Sequence, residues 1–231
     1  TPKSLDEIKK KLENEIPIRF GSALFDKMKK KYWEKDHVKG KPFLIAIADF
    51  HETMSMTWSF QGLLEYLYGF KYDHYHDTNG KLIITPIKIH EFEKETGAKV
   101  PAGFFFLPES ENVSAIITSS TATISKFNRM GKQAGLGSEK SMLIRTVSFH
   151  NFDENASEPN VATYQVNDEC NELWSEGVSI LHNPNALIPL DRKLFPLVAH
   201  HYLKDENILS YYPEFFPYSS ITQNIVPESE K

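Results

Sequence analysis

The chain has 231 residues, 40% of them hydrophobic, which is enough for one large core and too short to require two, so a single α/β domain over residues 1–231 is expected. Its net charge of −5 excludes a globally basic nucleic-acid binder and leaves only a local patch to meet a polyanion. The lone cysteine, Cys170, excludes an intrachain disulfide and a multi-cysteine metal site, and no apolar run reaches the roughly 18 residues of a membrane span, so a cytoplasmic protein is expected. The start at Thr1 rather than at a methionine points to a processed product or to the C-terminal part of a longer protein.

In chain order, Ser4-Leu-Asp-Glu7 is a capping-box pattern that opens a helix to about Glu15. Pro17 is expected to end it, and a second helix is expected after Gly21, capped by Ser22, with Leu24, Phe25, Met28 and Tyr32 as its apolar stripe. Lys27, Lys29, Lys30, Lys31 and Lys35 crowd the opposite side, as a solvated face or as a phosphate-tracking one. Phe43 to Ala48 is an unbroken apolar run, expected to be the central strand of a mixed sheet with flanking helices. At its end come Asp49, His51 and Glu52, where open α/β sheets present their sites. A helix carrying Trp58, Phe60, Leu64, Leu67 and Tyr68 follows, closed by Gly69.

Asn79-Gly80 between alternating runs predicts an edge hairpin that places His74 and His76 on one face, two imidazoles lacking a third ligand. Ala102 to Leu107, Val113 to Thr118, Ser141 to Phe149, Val161 to Val166 and Val178 to Leu181 read as strands, and Phe195 to Leu203 as a helix. Between Thr118 and Gly137, hydroxyl residues give way to Lys126, Arg129 and Lys132 at every third position beside glycines, a surface connection able to hold an anion. His182 closes a strand as His51 does, so Asp49, His51 and His182 are expected in one concave catalytic site. The tail from Tyr211 to Tyr218 is expected to pack over the body, before a disordered acidic terminus.

The lysine-rich segment Leu24 to Trp33 followed by Lys-Pro-Phe-Leu-Ile-Ala-Ile resembles the later part of restriction-endonuclease-like folds. Ile45-Ala-Ile-Ala-Asp-Phe-His51, Met56-Thr-Trp-Ser59, Tyr66-Leu-Tyr-Gly69, Ser125-Lys-Phe-Asn-Arg-Met-Gly131 and Leu181-His-Asn-Pro-Asn-Ala186 resemble an uncharacterised bacterial family, some members of which carry the label "glycosaminoglycan attachment site". The first resemblance implies a nuclease-like protein that acts on or binds a nucleic acid backbone with a divalent metal, Mg or Mn. It also implies an Asp/Glu-x-Lys strand. Glu7-Ile-Lys9 lies in a capped helix and Asp191-Arg-Lys193 follows a proline loop, so that strand is expected before Thr1, or the fold was kept without the reaction. The alternative function is a noncatalytic binding or assembly domain whose aromatic tail and histidine loops form an interface.

Overall fold

The computed structural model describes residues 4–226 apart from 54, 95 and 139, so the expectation for the extreme C-terminus lies outside the described residues. Ser4 caps α1 (Leu5–Asn14) as its sequence predicts, its hydroxyl accepting from the Glu7 amide at 3.2 Å. Pro17 does not end the helical stretch. It occupies the first turn of α2 (Ile16–Met28), where a missing N–H is harmless, and Glu15 between the two helices keeps right-handed helical dihedrals. Gly21 is not a break either. It lies inside α2 because a Cβ there would stand 2.9 Å from the Tyr66 ring of the helix packed against it.

That partner helix is α4 (Phe60–Tyr68), which follows the short α3 (Ser55–Trp58) and ends at Gly69 in the left-handed region, φ 72°. Leu63, Tyr66 and Leu67 of α4 join Ile16, Phe20, Leu24 and Met28 of α2 in the main core. The Asn79-Gly80 hairpin forms from β2 (Phe70–His76) and β3 (Leu82–Lys88), but as a two-stranded sheet of its own rather than at an edge of the main sheet, and β4 (Glu91–Glu93) pairs with β5 (Lys99–Pro101).

The main sheet is mixed and five-stranded, built from β1 (Leu44–Ala46), β6 (Ala115–Ser119), β9 (Val178–His182), β10 (Ala199–Lys204) and β11 (Asn207–Tyr211) in that order. β1 runs parallel to β6, β6 antiparallel to β9, β9 parallel to β10 and β10 antiparallel to β11. Side chains alternate between two apolar layers: Ile45, Ile116 and Leu181 enter the helix-covered core, while Leu44, Ala115 and Ile180 meet Leu190 and Val198 on the other face. The α/β class with a mixed sheet and helices is thus established, but Phe43 to Ala48 is an edge strand rather than the centre. An unbroken apolar run suggests cover on both faces, but only Ile45 of this run is buried and Ala46 and Ala48 are exposed, as a place at the edge allows.

A second sheet has the order β12 (Pro217–Ile225), β7 (Met142–Phe149), β8 (Asn160–Gln165). Three further expectations are corrected. Phe104–Phe106 forms a 3₁₀ turn that drops Phe104 and Phe105 into the core, because Gly103 takes φ 76° and leaves the extended path. The expected helix at Phe195 to Leu203 is a turn over 195–198, where Pro196 supplies no helical hydrogen bond, followed by strand β10 from Ala199. The expected surface connection around Lys126 is α5 (Ile124–Gln133), capped by the Thr123 hydroxyl accepting from the Lys126 amide at 3.3 Å. Among the described residues, no helix is long and apolar enough to cross a membrane.

Candidate functional site

β1 and β6 point the same way, so the loop after β1 and the segment from β6 into α5 emerge at one edge of the sheet. Asp49 begins the first of these with a local turn: its Oδ1 accepts from the His51 amide at 3.3 Å and from His51 Nδ1 at 2.5 Å. The Ser55 hydroxyl donates to the Asp49 carbonyl at 2.8 Å and closes the loop onto α3. The imidazole is then walled by Trp58, edge to face at 5.8 Å. Only 6% of the His51 side chain is exposed, and its Nε2 has no hydrogen-bond partner. With Nδ1–H committed to Asp49, a neutral His51 carries its lone pair on Nε2.

Facing that nitrogen is a charge ladder at i, i+4 spacing across the α1–α2 junction. Lys11 bonds to Glu52 and lies 3.9 Å from Glu15, and Glu15 lies 3.9 Å from Arg19. The ammonium beside Glu52 lowers that carboxyl below the usual range, and Glu52 in turn raises Lys11. His51 Nε2 is 3.8 Å from Glu52 Oε1. Arg19 lines a cavity of about 200 Å³ together with Asp49 and His51.

On the other side of Asp49 lies a cavity of about 240 Å³, walled by Glu52, Ser55 and Thr57 and, across it, by Ser120, Thr123 and Ser125. Ser220 and Thr222, alternate residues of β12, complete it. Arg145 Nε donates to the Ser220 hydroxyl at 2.9 Å and Arg129 Nη1 to the Thr222 hydroxyl at 2.5 Å. A hydroxyl that accepts from a guanidinium keeps its own proton to donate and becomes a more polar donor. Both cavities are smaller than the ~300–1,000 Å³ typical of pockets for whole drug-sized ligands and suit one small polar group.

The guanidiniums themselves are buried. Arg129 is 0% exposed and clamps Glu172 with two bonds, Nε to Oε2 at 2.7 Å and Nη2 to Oε1 at 2.6 Å. Arg145 reaches Glu176 at 3.0 Å and Glu172 at 3.4 Å. Lys126, also buried, donates to the carbonyls of Trp174 and Glu176, each at 3.0 Å, and burial pulls its ammonium pKa down. The expected anion contacts of Lys126 and Arg129 are therefore corrected: both side chains face inward and are spent on internal partners. Only Lys132 stays near the surface, bonded to the Ser138 carbonyl at 2.9 Å.

His182 does not join Asp49 and His51. It pairs in register with Ala115, the first residue of β6, whereas the dyad follows the far end of β1, so β9, antiparallel to both, carries His182 to the opposite edge. There it stacks on Tyr202 at 4.1 Å and meets His200 Nδ1 through Nε2 at 2.9 Å. His200 Nε2 must donate to the Phe195 carbonyl at 2.9 Å, so the neutral tautomers are set, with His182 donating to His200. Burial and then the neighbouring imidazole push His182 down to about 4. His74 and His76 lie on the exposed hairpin, and His76 Nε2 bonds the Asn155 carbonyl at 2.7 Å.

Lys11, Glu15 and Arg19 carry the i, i+4 spacing in the sequence, but Pro17 in isolation reads as a break between them and hides the ladder. Glu172, Glu176, Ser220 and Thr222 left no local signal. No family model, no curated protein and no solved structure matches the chain at a significant level.

Proposed function

We propose that the cleft after β1 and β6 receives a phosphate-bearing substrate, and that the protein is nuclease-like, acting on or binding a nucleic acid backbone. The observation that carries this reading is the hydroxyl wall: Ser220 and Thr222 line the cleft and take hydrogen bonds from buried Arg145 and Arg129, which leaves their own protons to donate. The guanidinium charges are met by Glu172 and Glu176, so what the cleft receives is two polarised hydroxyl donors, by which an acidic protein presents a local donor surface to an anion. The first turn of α5, with Thr123 and Ser125 on the same wall, adds its partial positive charge. Asp49 and His51 stand beside this wall, where a positioned acid–base or ligand pair belongs in phosphodiester hydrolysis. A restriction-endonuclease-like architecture is part of the same proposal.

The test is binding of a labelled oligonucleotide as a function of salt, together with cleavage in the presence of Mn²⁺ or Mg²⁺. Affinity is expected to fall steeply with salt. The Ser220→Ala/Thr222→Val double variant, which keeps the buried charges, is expected to weaken binding about a hundredfold or more, the loss of two charge-assisted donors. Absence of binding at low salt overturns the proposal. A second reading, a noncatalytic binding or assembly domain, is favoured by Phe127 and Trp174, which meet edge to face at 4.7 Å while remaining 62% and 57% exposed. The aromatic tail contributes little to such an interface, since Tyr212 and Phe216 pack on each other at 5.1 Å and Phe216 is buried.

A further inference from the structure

Two carboxylates, Asp49 and Glu52, line the same cavity as the hydroxyl wall. Unscreened, they repel a phosphate, and a cation between them and the substrate removes the conflict. We propose that His51 Nε2, Glu52 and Glu15 form a binding site for a divalent transition-metal cation, Mn²⁺ or Zn²⁺, with Asp49 holding the imidazole in the ligating tautomer. What the cation does for a substrate rests on the phosphate reading above; that it binds does not.

Three observations converge. The ligand atoms of Glu15, His51 and Glu52 all lie within 4.8 Å of one another, the one such grouping of three among the described residues. Ligands around a tetrahedral metal at 2.0–2.2 Å stand about 3.4 Å apart, so a grouping within 4.8 Å closes by up to about 1.4 Å, and exposed Glu15 has the freedom to move. The second observation is the orphaned Nε2. A buried imidazole nitrogen without a partner demands an explanation, and here it lies 3.8 Å from a Glu52 oxygen, in the grouping that also holds Glu15. The third is Asp49. A metal-bound histidine almost always donates its other N–H to a carboxylate or carbonyl, which fixes the ring and raises its basicity, and the 2.5 Å contact from His51 Nδ1 to Asp49 is that arrangement.

One imidazole with two carboxylates suits Mn²⁺ or Zn²⁺ better than Mg²⁺, which prefers oxygen and water, and offers no thiolate for soft metals. The competing account gives the carboxylates to Lys11, whose ammonium bonds Glu52 and approaches Glu15. That account leaves Nε2 unexplained. It also makes an opposite forecast, because an ammonium that shares Glu52 with a metal is a competitor whose removal tightens metal binding.

The experiment titrates the full chain, stripped with a chelator, with MnCl₂ and with ZnCl₂ by calorimetry, and follows Mn²⁺ by electron paramagnetic resonance. No substrate is present, so failure of the phosphate reading leaves the result intact. One site per chain is expected. His51→Ala should weaken it at least tenfold, Asp49→Asn by about 10- to 100-fold while leaving the stoichiometry, and Lys11→Met should tighten it several-fold. Glu15→Gln changes an exposed residue and keeps the fold, so the metal-induced rise in melting temperature should shrink in that variant even if His51→Ala does not fold. Absence of saturable binding up to about 1 mM metal overturns the proposal, as does binding that survives both Glu15→Gln and His51→Ala unchanged, or that weakens in Lys11→Met.

Discussion

Arg129→Met separates a buried structural cation from a ligand-contacting one. The methionine keeps most of the aliphatic stem and removes the guanidinium that clamps Glu172 through bonds of 2.7 and 2.6 Å and donates to Thr222 at 2.5 Å. Arg129 is 0% and Glu172 5% exposed, so water cannot replace what is lost. Removing one partner of a buried pair costs about 3–5 kcal/mol. Arg145, 3.4 Å from the same Glu172 oxygen, retains part of the compensation and holds the expected loss near the lower end, about 3 kcal/mol. For a chain of this size that is a fall in melting temperature of roughly 6–12 °C. Urea denaturation with an unchanged m-value, checked by calorimetry, measures it. Arg129→Met/Glu172→Gln should be less destabilised than the sum of its single changes, since the orphaned charge is gone. Asp26→Asn, which breaks the Lys29–Asp26 pair with side chains 60% and 73% exposed, is the internal control and should stay within about 0.5 kcal/mol. A loss below about 1 kcal/mol for Arg129→Met refutes the reasoning and returns Arg129 to the role of an anion contact.

Three further outcomes are expected. Burial lowers His182 to about 4 and His201 to about 3 from an ordinary 6.5, so the unfolded chain binds more protons between those values; stability should be full above pH 6.5 and decline as pH falls toward 4, and His201→Gln should flatten that decline in denaturant titrations at stepped pH. Tyr68→Phe removes a buried hydroxyl that donates to the His182 and His201 carbonyls at 2.9 and 3.1 Å, and chemical denaturation should show a loss of about 1–3 kcal/mol. Gly177→Ala combines φ 71° with a Cβ 2.5 Å from Thr121 Oγ1 and 2.9 Å from Ser120 Oγ, so it should destabilise the fold by about 2 kcal/mol or more, and oligonucleotide binding should weaken because Ser120 lines the cleft.

Elements whose signal lies within a few consecutive residues were legible in the chain itself. The Ser4 cap, the Asn79-Gly80 hairpin, the Gly69 stop and the strands over Val113 to Thr118 and Ser141 to Phe149 each follow from local dihedral preference or burial period. So does the Asp49–His51 contact, because a turn of three residues makes it. Tertiary structure decided what depends on direction and partner. Antiparallel β9 sends His182 away from His51, although both close apolar strands and look alike in sequence. Lys126 and Arg129 recur at a spacing that reads as a surface stripe, and only segments more than 40 residues later give them buried partners, the Glu172 carboxylate for Arg129 and the Trp174 and Glu176 carbonyls for Lys126. Pro17 and Gly21 look like breaks in isolation and become helix, one because the first turn needs no N–H and the other because Tyr66 needs the space. Local chemistry fixes φ, ψ and hydrogen-bond capacity residue by residue, whereas the desolvation that converts a charge or a glycine from liability to fit is set by whatever the rest of the chain brings against it.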